Sequence, residues 1–576
     1  MTFSKLSSYF EKMESTSSRL ALIDILSDLL KHSSAFEIDK IIYLTQGRIA
    51  PFFEATEIGM ADKTVASAAA IAYETTKEDV LKLYQKLGDM GMVASLLSSK
   101  IKAQKSKITV EDVFNILLQI AKTSGGGTVE KRTTLLSDLL KEADPIAAKY
   151  LVRIPLGNLR LGIGDPTILD ALATAKFGDK SKRKLLEGAY NRTSDLGLIA
   201  KTLWEGGIEA VEKLKVQVGK PIRSELCERL PTPEKVIEKM KEVDVQYKYD
   251  GFRVQIHKDN EKVSMFSRNL ENMTHMFPEL IEATLEQVKA KTVILDTEAL
   301  AYNPDSEEFL PFQETTKRRR KHGIEEMAAK LPLKAFVFDI LYKDGKSLID
   351  EPLSKRLAIL KETIKDDGVL IRTKNQTISD PKTLGLLLED AISKGLEGLV
   401  VKKLESKYEA GGRNFNWVKL KRHSAGELED TIDCVILGYI SGKGKRTAFG
   451  AGALLVGVYD DKKDEFVTVS KIGTGLTDEE WREIKAQSSK LKVQNKPARV
   501  SSLIVPSVWV EPKIVIEVLA DEITRSPIHT AGKTDGEPGY ALRFPRLVSF
   551  READKKAEDA TTVKELIEMY QQQGKK

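Results

Sequence analysis

Cysteine is nearly missing from this chain. Only Cys227 and Cys434 occur in 576 residues, far apart in sequence. That excludes a disulfide framework and a cysteine-based zinc site, and it points to a reducing compartment. Long apolar runs are missing too: none approaches the ~18 residues that would suggest a membrane span. The opening Met1-Thr2-Phe3-Ser4-Lys5 lacks the apolar core of a signal peptide, so a cytoplasmic location is expected. An excess of one charge is absent as well. The net charge is only +5, so any surface for a polyanion must come from local segregation of charge. No internal repeat is visible. What is present is ordinary for a soluble protein, 41% hydrophobic and 30% charged residues. The length suits about three to four domains with separate cores.

The patterning changes twice along the chain. Residues 1–215 read as helical: Leu22, Ile25, Leu26 and Leu29, and again Leu135, Leu136, Leu139 and Leu140, recur at helical spacing. Ser124-Gly125-Gly126-Gly127-Thr128 reads as a loop between helices. Helical spacing stops near Val218-Gly219-Lys220-Pro221, and over 216–423 strand and helix signals alternate, predicting an α/β (α+β) domain. Residues 424–576 are mostly β. Strands are expected at Thr431–Ile440, Ala453–Tyr459, Glu465–Ile472, Val508–Val518 and Leu542–Phe550, with a helix at Asp478–Lys490 and a charged terminal helix after Thr562. Five strands with such an insertion suit a β-barrel of the OB-fold type. The expected class is thus multidomain, all-α, then α/β, then β-barrel.

Chemistry concentrates at Lys248-Tyr249-Asp250-Gly251. Val243, Val245, Tyr247 and Tyr249 alternate with polar residues as on a half-buried strand; Asp250-Gly251 reads as a hairpin turn, and Phe252, Val254 and Ile256 alternate back. Lys248 and Gln246 then share the face opposite the tyrosines, with Arg253 just past the turn. A lysine amine, with a reference pKa of about 10.4, becomes a nucleophile where burial or neighbouring cations favour its neutral form. Alone, a lysine beside an Asp-Gly turn is an ordinary solvated hairpin residue. The downstream series gives it meaning: Ser267-Arg268-Asn269, Leu295-Asp296-Thr297-Glu298, Phe336-Val337-Phe338-Asp339, Glu397-Gly398-Leu399-Val400-Val401-Lys402, Trp417-Val418-Lys419-Leu420-Lys421 and Arg543-Phe544-Pro545-Arg546. Phe336, Phe338 and Ile340 are expected on one strand face, with Phe336 in the core. Asp296 and Glu298 share another face.

In this ordered set, over nearly its whole length, the chain resembles the ATP-dependent DNA ligases of the archaeal and eukaryotic replicative type. The resemblance implies that Lys248 attacks the α-phosphate of ATP to form lysyl-AMP. Arg253, Arg268, Arg413, Lys419 and Lys421 would hold ribose and phosphates, and Phe338 would stack on adenine. Glu298 would meet the ribose or a metal, and Glu397 would be a second metal carboxylate. Two carboxylates with substrate phosphates suit Mg²⁺. Gln246 stands where many relatives carry glutamate, which keeps a backbone contact to adenine but not a carboxylate. Arg543, in the last motif, would close over ATP and orient pyrophosphate. Arg551-Glu552-Ala553-Asp554-Lys555 carries one residue more than the usual Arg-x-Asp-Lys, which leaves Arg551 without a settled role.

The same resemblance makes the helical leader a DNA-binding domain and the α/β region a nucleotidyltransferase domain. Leu156-Gly157-Asn158-Leu159-Arg160-Leu161-Gly162-Ile163-Gly164-Asp165 is the stronger DNA match, with Arg160, Gly162 and Gly164 expected at phosphates. Tyr43 to Pro51 is a second match. Lys317-Arg318-Arg319-Arg320-Lys321 looks like a basic stripe. The implied partner is nicked duplex DNA, met by a monomer. Gln104-Lys105-Ser106-Lys107-Ile108 falls where some archaeal relatives carry a sliding-clamp peptide, without the aromatics those peptides place after the serine. An RNA-capping guanylyltransferase or RNA ligase would resemble the central region but would lack the helical leader. A non-catalytic DNA scaffold would not need Lys248, Glu298, Glu397, Lys419 and Lys421 together.

Overall fold

A computed structural model describes residues 1–101, 106–302, 310, 315–320, 322–365, 368–393, 396–421, 430–440, 453–473, 476, 478–551 and 555–573. The clamp-peptide positions Gln104 and Lys105, Lys321 of the basic stripe, and Asp554 lie outside the described residues. The chain forms two compact units: Met1–Tyr190 with Ser194–Leu214, and Asn191–Thr193 with Lys215–Lys576.

The first unit is helical, as expected, from Phe3–Glu14 to Leu196–Glu212. Local chemistry marks the helix starts. The Ser18 hydroxyl accepts from the Ala21 amide, Thr109 and Asp112 cap each other reciprocally, and Asp144 caps a helix with Pro145 in its first turn. Leu22, Leu26, Leu29, Leu136, Leu139 and Leu140 are buried, while the expected core members Ile25 and Leu135 are only partly covered.

In the second unit the described residues first lay down eleven strands in two sheets: β1 (Leu226–Arg229), β2 (Val243–Lys248), β3 (Phe252–Asp259), β4 (Lys262–Ser267), β5 (Thr292–Ala301), β6 (Leu333–Lys343), β7 (Lys346–Ser347), β8 (Leu370–Arg372), β9 (Asn375–Ile378), β10 (Gly398–Lys403) and β11 (Arg413–Leu420). One sheet has the order β1-β11-β10-β2-β9; the other runs β4-β3-β5-β6-β7, with β8 parallel to β6. Two expectations fail here. Asp250-Gly251 is not a hairpin turn, because β2 pairs with β9 and β10 while β3 pairs with β4 and β5. The turn instead carries the chain from one sheet to the other. Nor do Phe336, Phe338 and Ile340 share a face. The β5–β6 register slips at Asp296/Thr297, so Ile340 joins Val337 in one core while Phe338 packs with Leu341 and Trp417 in another. A bulge of one residue reverses every side chain beyond it.

The last part of the chain is rich in strands, beginning with β12 (Ile432–Ile440), β13 (Ala453–Asp460) and β14 (Glu465–Ile472) in antiparallel order. The helix Asp478–Lys490 forms where expected, and the terminal helix spans Val563–Gln572. The fourth and fifth expected strands each break in two at a proline. Val508–Val510 and Val515–Leu519 flank Pro512, and Gly539–Arg543 and Arg546–Phe550 flank Pro545. Gly539–Arg543 pairs with an additional strand, Glu522–Ser526.

Candidate functional site

The register of the first sheet builds the floor of a cleft. Along β2, Asp244, Gln246 and Lys248 alternate onto one face, opposite Lys402, Val400 and Gly398 of β10. Those in turn lie beside Trp417 and Lys419 of β11, and Lys419 beside Arg229 of β1. Arg253, Glu298 and Phe338 reach the same cleft from β3, β5 and β6 of the second sheet, and residues beyond Asp430 complete it, giving about 240 Å³. Gly398 is indispensable to this geometry. Its φ is +139°, and a Cβ there would sit 2.3 Å from the carbonyl oxygen of Leu420, so no larger residue lets β10 pass β11 this closely.

Lys248 ends β2 inside the cleft, its Nζ paired with Glu397. Burial by itself would lower its pKa, but the Glu397 carboxylate, with Asp250 and Glu298 nearby, outweighs burial and holds it above the usual lysine value. This departs from the expectation that neighbours would favour the free amine: the carboxylates win over desolvation. Glu397 remains ionised against its own burial because Lys248 and Lys421 flank it. Glu298 is pushed by burial up to about 7, opposed by Lys248 and Arg253, and it accepts the Gly251 amide at 3.1 Å. That bond locks the crossing between the two sheets next to the lysine.

The expected nucleotide residues converge, with one exception. Gln246, Arg253, Arg268, Glu298, Phe338, Glu397, Arg413, Lys419 and Lys421 all line the cleft. Several cations nevertheless have protein partners. Arg253 forks onto Asp296 at 3.0 and 2.7 Å and donates to the Glu225 carbonyl at 2.7 Å. Tyr408 also donates to Asp296, at 2.8 Å. Arg413 pairs with Glu565 of the terminal helix, 3.6 Å from which lies Lys419. Lys421 lies 3.1 Å from Asp430 and 3.6 Å from Glu397, and Arg268 lies 3.6 Å from Asp559. Phe338 is edge-on to Trp417 at 6.0 Å, whereas Phe336 stacks on Tyr249 at 3.9 Å and is buried. Phe336 is thus packed away as expected, while Phe338 lines the cleft.

Arg543 is the exception. It does not line the cleft; its guanidinium pairs on the surface with Glu522 at 2.8 Å, and Arg546 with Asp521. The strand break at Pro545 sets this segment apart, on the small sheet with Glu522–Ser526. Arg551, left without a role in the sequence, does line the cleft, 3.6 Å from Glu517. The sequence reading also missed Lys402 and Trp417, although both stood inside quoted motifs. Their placement follows from strand register, which one sequence does not disclose. The acidic residues Asp430, Asp559 and Glu565, which meet the cations of the cleft, give no local signal at all.

Glu298 and Glu397 offer an all-oxygen donor pair beside the lysine. Among the described residues no group of three or more potential metal ligands occurs. A hard ion that takes one or two carboxylates and completes its shell with water and substrate phosphate fits this donor set.

The expected nucleic-acid residues fare differently. In the helical unit Arg160 has φ +60° and donates to Asp89 at 2.8 Å, and Asp89 also binds Arg153. Its charge is thus committed inside the protein rather than presented. Gly162 adopts φ +66°, and Gly164 precedes the helix Asp165–Phe177. In the basic stripe Arg318 is buried to 1% exposure on Glu279, and Arg319 pairs with Glu271, so the run is not one solvated face.

Three family models match in chain order: "DNA ligase N terminus" over residues 2–173, "ATP dependent DNA ligase domain" over 224–421 and "ATP dependent DNA ligase C terminal region" over 447–555. A probable DNA ligase of Dictyoglomus turgidum is 49% identical over 575 residues, covering 100% of this chain and 98% of the relative. A DNA ligase of Sulfolobus acidocaldarius is 41% identical over 593 residues, covering 100% and 99%. No helix among the described residues is long and apolar enough to cross a membrane. Matched from end to end by such relatives and by all three family models, the chain belongs to the ATP-dependent DNA ligases, enzymes that seal nicks in DNA by forming phosphodiester bonds.

Proposed function

We propose that Lys248 is the residue that carries AMP. The observation supporting this is its position: a lysine at the end of a strand, inside a cleft whose cations Arg229, Arg268, Arg413, Lys419 and Lys421 come from three further segments. A triphosphate brings about four negative charges that such cations offset as the bond to the leaving group breaks. Once its ammonium has given a proton to solvent, the Lys248 amine displaces pyrophosphate from the α-phosphate; AMP then passes to the 5′-phosphate of a nick, and the 3′-hydroxyl displaces AMP. Each step is a phosphoryl transfer that depends on positioning. Glu298 and Glu397 would hold Mg²⁺, which would supply charge neutralisation at the phosphates. Phe338 offers a ring face to adenine.

The domain assignment follows: a DNA-binding domain over 1–215, with Gly162 and Gly164 at the phosphate backbone and Arg160 reaching DNA only by exchanging Asp89 for phosphate; a nucleotidyltransferase domain over 216–423; and an OB-fold domain over 424–576. A monomer acting in the cytoplasm on nicked duplex DNA during replication, repair and recombination fits this reading.

Incubation with α-phosphate-labelled ATP and Mg²⁺, then denaturing electrophoresis, tests it. Label should stay on the wild-type chain, be absent from Lys248→Ala, and be chased off by nicked duplex. Label that persists in Lys248→Ala refutes the assignment.

A further inference from the structure

The floor of the cleft contains a polar triad that phosphate chemistry does not use. Gln246 lies between the nucleophile and the aromatic end of the cleft. It is two residues from Lys248 along β2, about 6.8 Å at ~3.4 Å per residue. Its neighbour on the other side, Asp244, faces Lys402, whose ammonium lies 4.0 Å from the Trp417 ring and 4.7 Å from Phe338. Gln246 is only 2% exposed, yet it lines the cleft. Its Nε2 donates to Asp244 Oδ2 at 2.8 Å, and Asn375 of β9 donates Nδ2 to Asp244 Oδ1 at 2.7 Å.

An ionised carboxylate only accepts hydrogen bonds. Both neighbouring amides must therefore turn their nitrogens toward Asp244. Gln246 is left presenting its carbonyl oxygen, an acceptor, to whatever base enters. Adenine carries an amino donor at position 6; guanine and hypoxanthine carry an oxygen there. The first pairs with the Gln246 oxygen. The second places two acceptors together where water is scarce, which leaves a buried polar group unpaired.

We infer that Asp244 is a positioning residue that fixes the Gln246 amide, so that the cleft selects 6-amino over 6-oxo purine nucleotides. The inference rests on the reading of Lys248 as the AMP acceptor. With asparagine at position 244, each neighbour meets a group that can donate or accept, so the Gln246 amide can reverse. A residue that merely ties β2 to β9 would leave nucleotide choice untouched.

The test compares kcat/KM for self-labelling of the full chain by ATP, inosine triphosphate and purine riboside triphosphate, the last lacking any 6-substituent. The wild type should favour ATP over inosine triphosphate at least about tenfold, the factor equivalent to ~1.4 kcal/mol. Asp244→Asn should reduce that ratio by about the same factor, since the misplaced acceptor is worth that much. Gln246→Leu should bring ATP down to the level of purine riboside triphosphate. If Asp244→Asn labels itself with an unchanged ratio, or Gln246→Leu keeps its preference for ATP over purine riboside triphosphate, the inference is overturned. Should Asp244→Asn fail to fold, Gln246→Leu decides. A wild type that labels but treats the three nucleotides alike overturns this inference alone. A wild type that takes no label from any of them overturns the Lys248 reading as well.

Discussion

Removing the guanidinium of Arg253 would strand two buried groups at once. Asp296, whose side chain is fully covered, receives both arms of the fork, and the Glu225 carbonyl receives the third nitrogen. Breaking a buried pair by deleting one partner costs about 3–5 kcal/mol, because the remaining charge has lost its compensation. Arg543 makes an ion pair of similar length with Glu522, but its side chain is 56% exposed and its partner's 42%. Such surface pairs contribute about 0–1 kcal/mol. Thermal unfolding should therefore show a large drop for Arg253→Ala and almost none for Arg543→Ala. Equal shifts in the two variants would mean that solvent reaches Asp296 and that the covered network does not stabilise the fold.

Strand β3, the first past the crossing between the sheets, carries a second buried polar centre. The Gly219 amide donates to His257 Nδ1 at 2.9 Å, so the ring proton sits on Nε2 and is donated to Gln255 Oε1, also at 2.9 Å. Burial lowers the His257 pKa from 6.5 to about 3. The folded state therefore stays neutral where the unfolded chain already binds a proton. Stability is unaffected above pH 6.5 and falls below it by about 1.4 kcal/mol per unit until the folded value is reached. Relative to wild type, His257→Gln should be less stable at pH 8 and should regain ground as the pH falls from 6.5 toward 4. A difference that stays constant with pH would show that the ring is protonated in the native state. At the far end of the cleft, Gly398→Ala should abolish self-labelling while most of the fold survives. Its Cβ would displace β10 from the Leu420 carbonyl and carry Glu397 away from Lys248. Normal labelling by that variant would show the close approach to be dispensable.

These elements also show what a single sequence discloses. Alternation with period two identified β2 and β3 and the residues on each face, because side-chain direction is a local property. It did not disclose that the strands belong to different sheets, since hydrogen-bond partners are chosen by distant residues. The bulge in β6 was hidden for the same reason: it exists only relative to Asp296 and Thr297 of β5. The breaks at Pro512 and Pro545 had a local signal that the expected strands ran through, because proline within an apparent strand donates no ladder hydrogen bond. The candidate site was read more fully than the fold, since its residues stand in short ordered motifs that survive ignorance of topology. Arg543 escaped that rule because a motif specifies chemistry and not the segment that will present it.

At the scale of the whole second unit, the terminal helix Val563–Gln572 places Glu565 where a triphosphate would find Arg413 and Lys419. Burial alone would raise the Glu565 pKa, but those two cations hold it well below the usual carboxylate range, so an ionised carboxylate faces both. If Arg413 and Lys419 hold ATP as proposed, ATP displaces it, and apparent affinity is reduced by the fraction of molecules in which it remains in place. Glu565→Gln separates this competition from helix stability. Glu565 accepts from the Thr562 amide at 2.9 Å and completes a capping box, a role that glutamine also fills. The variant should therefore keep its helix yet lower the KM for ATP in self-labelling by about tenfold, equivalent to ~1.4 kcal/mol. An unchanged KM, with the helix intact by circular dichroism, would show that ATP does not compete with Glu565 for these two cations.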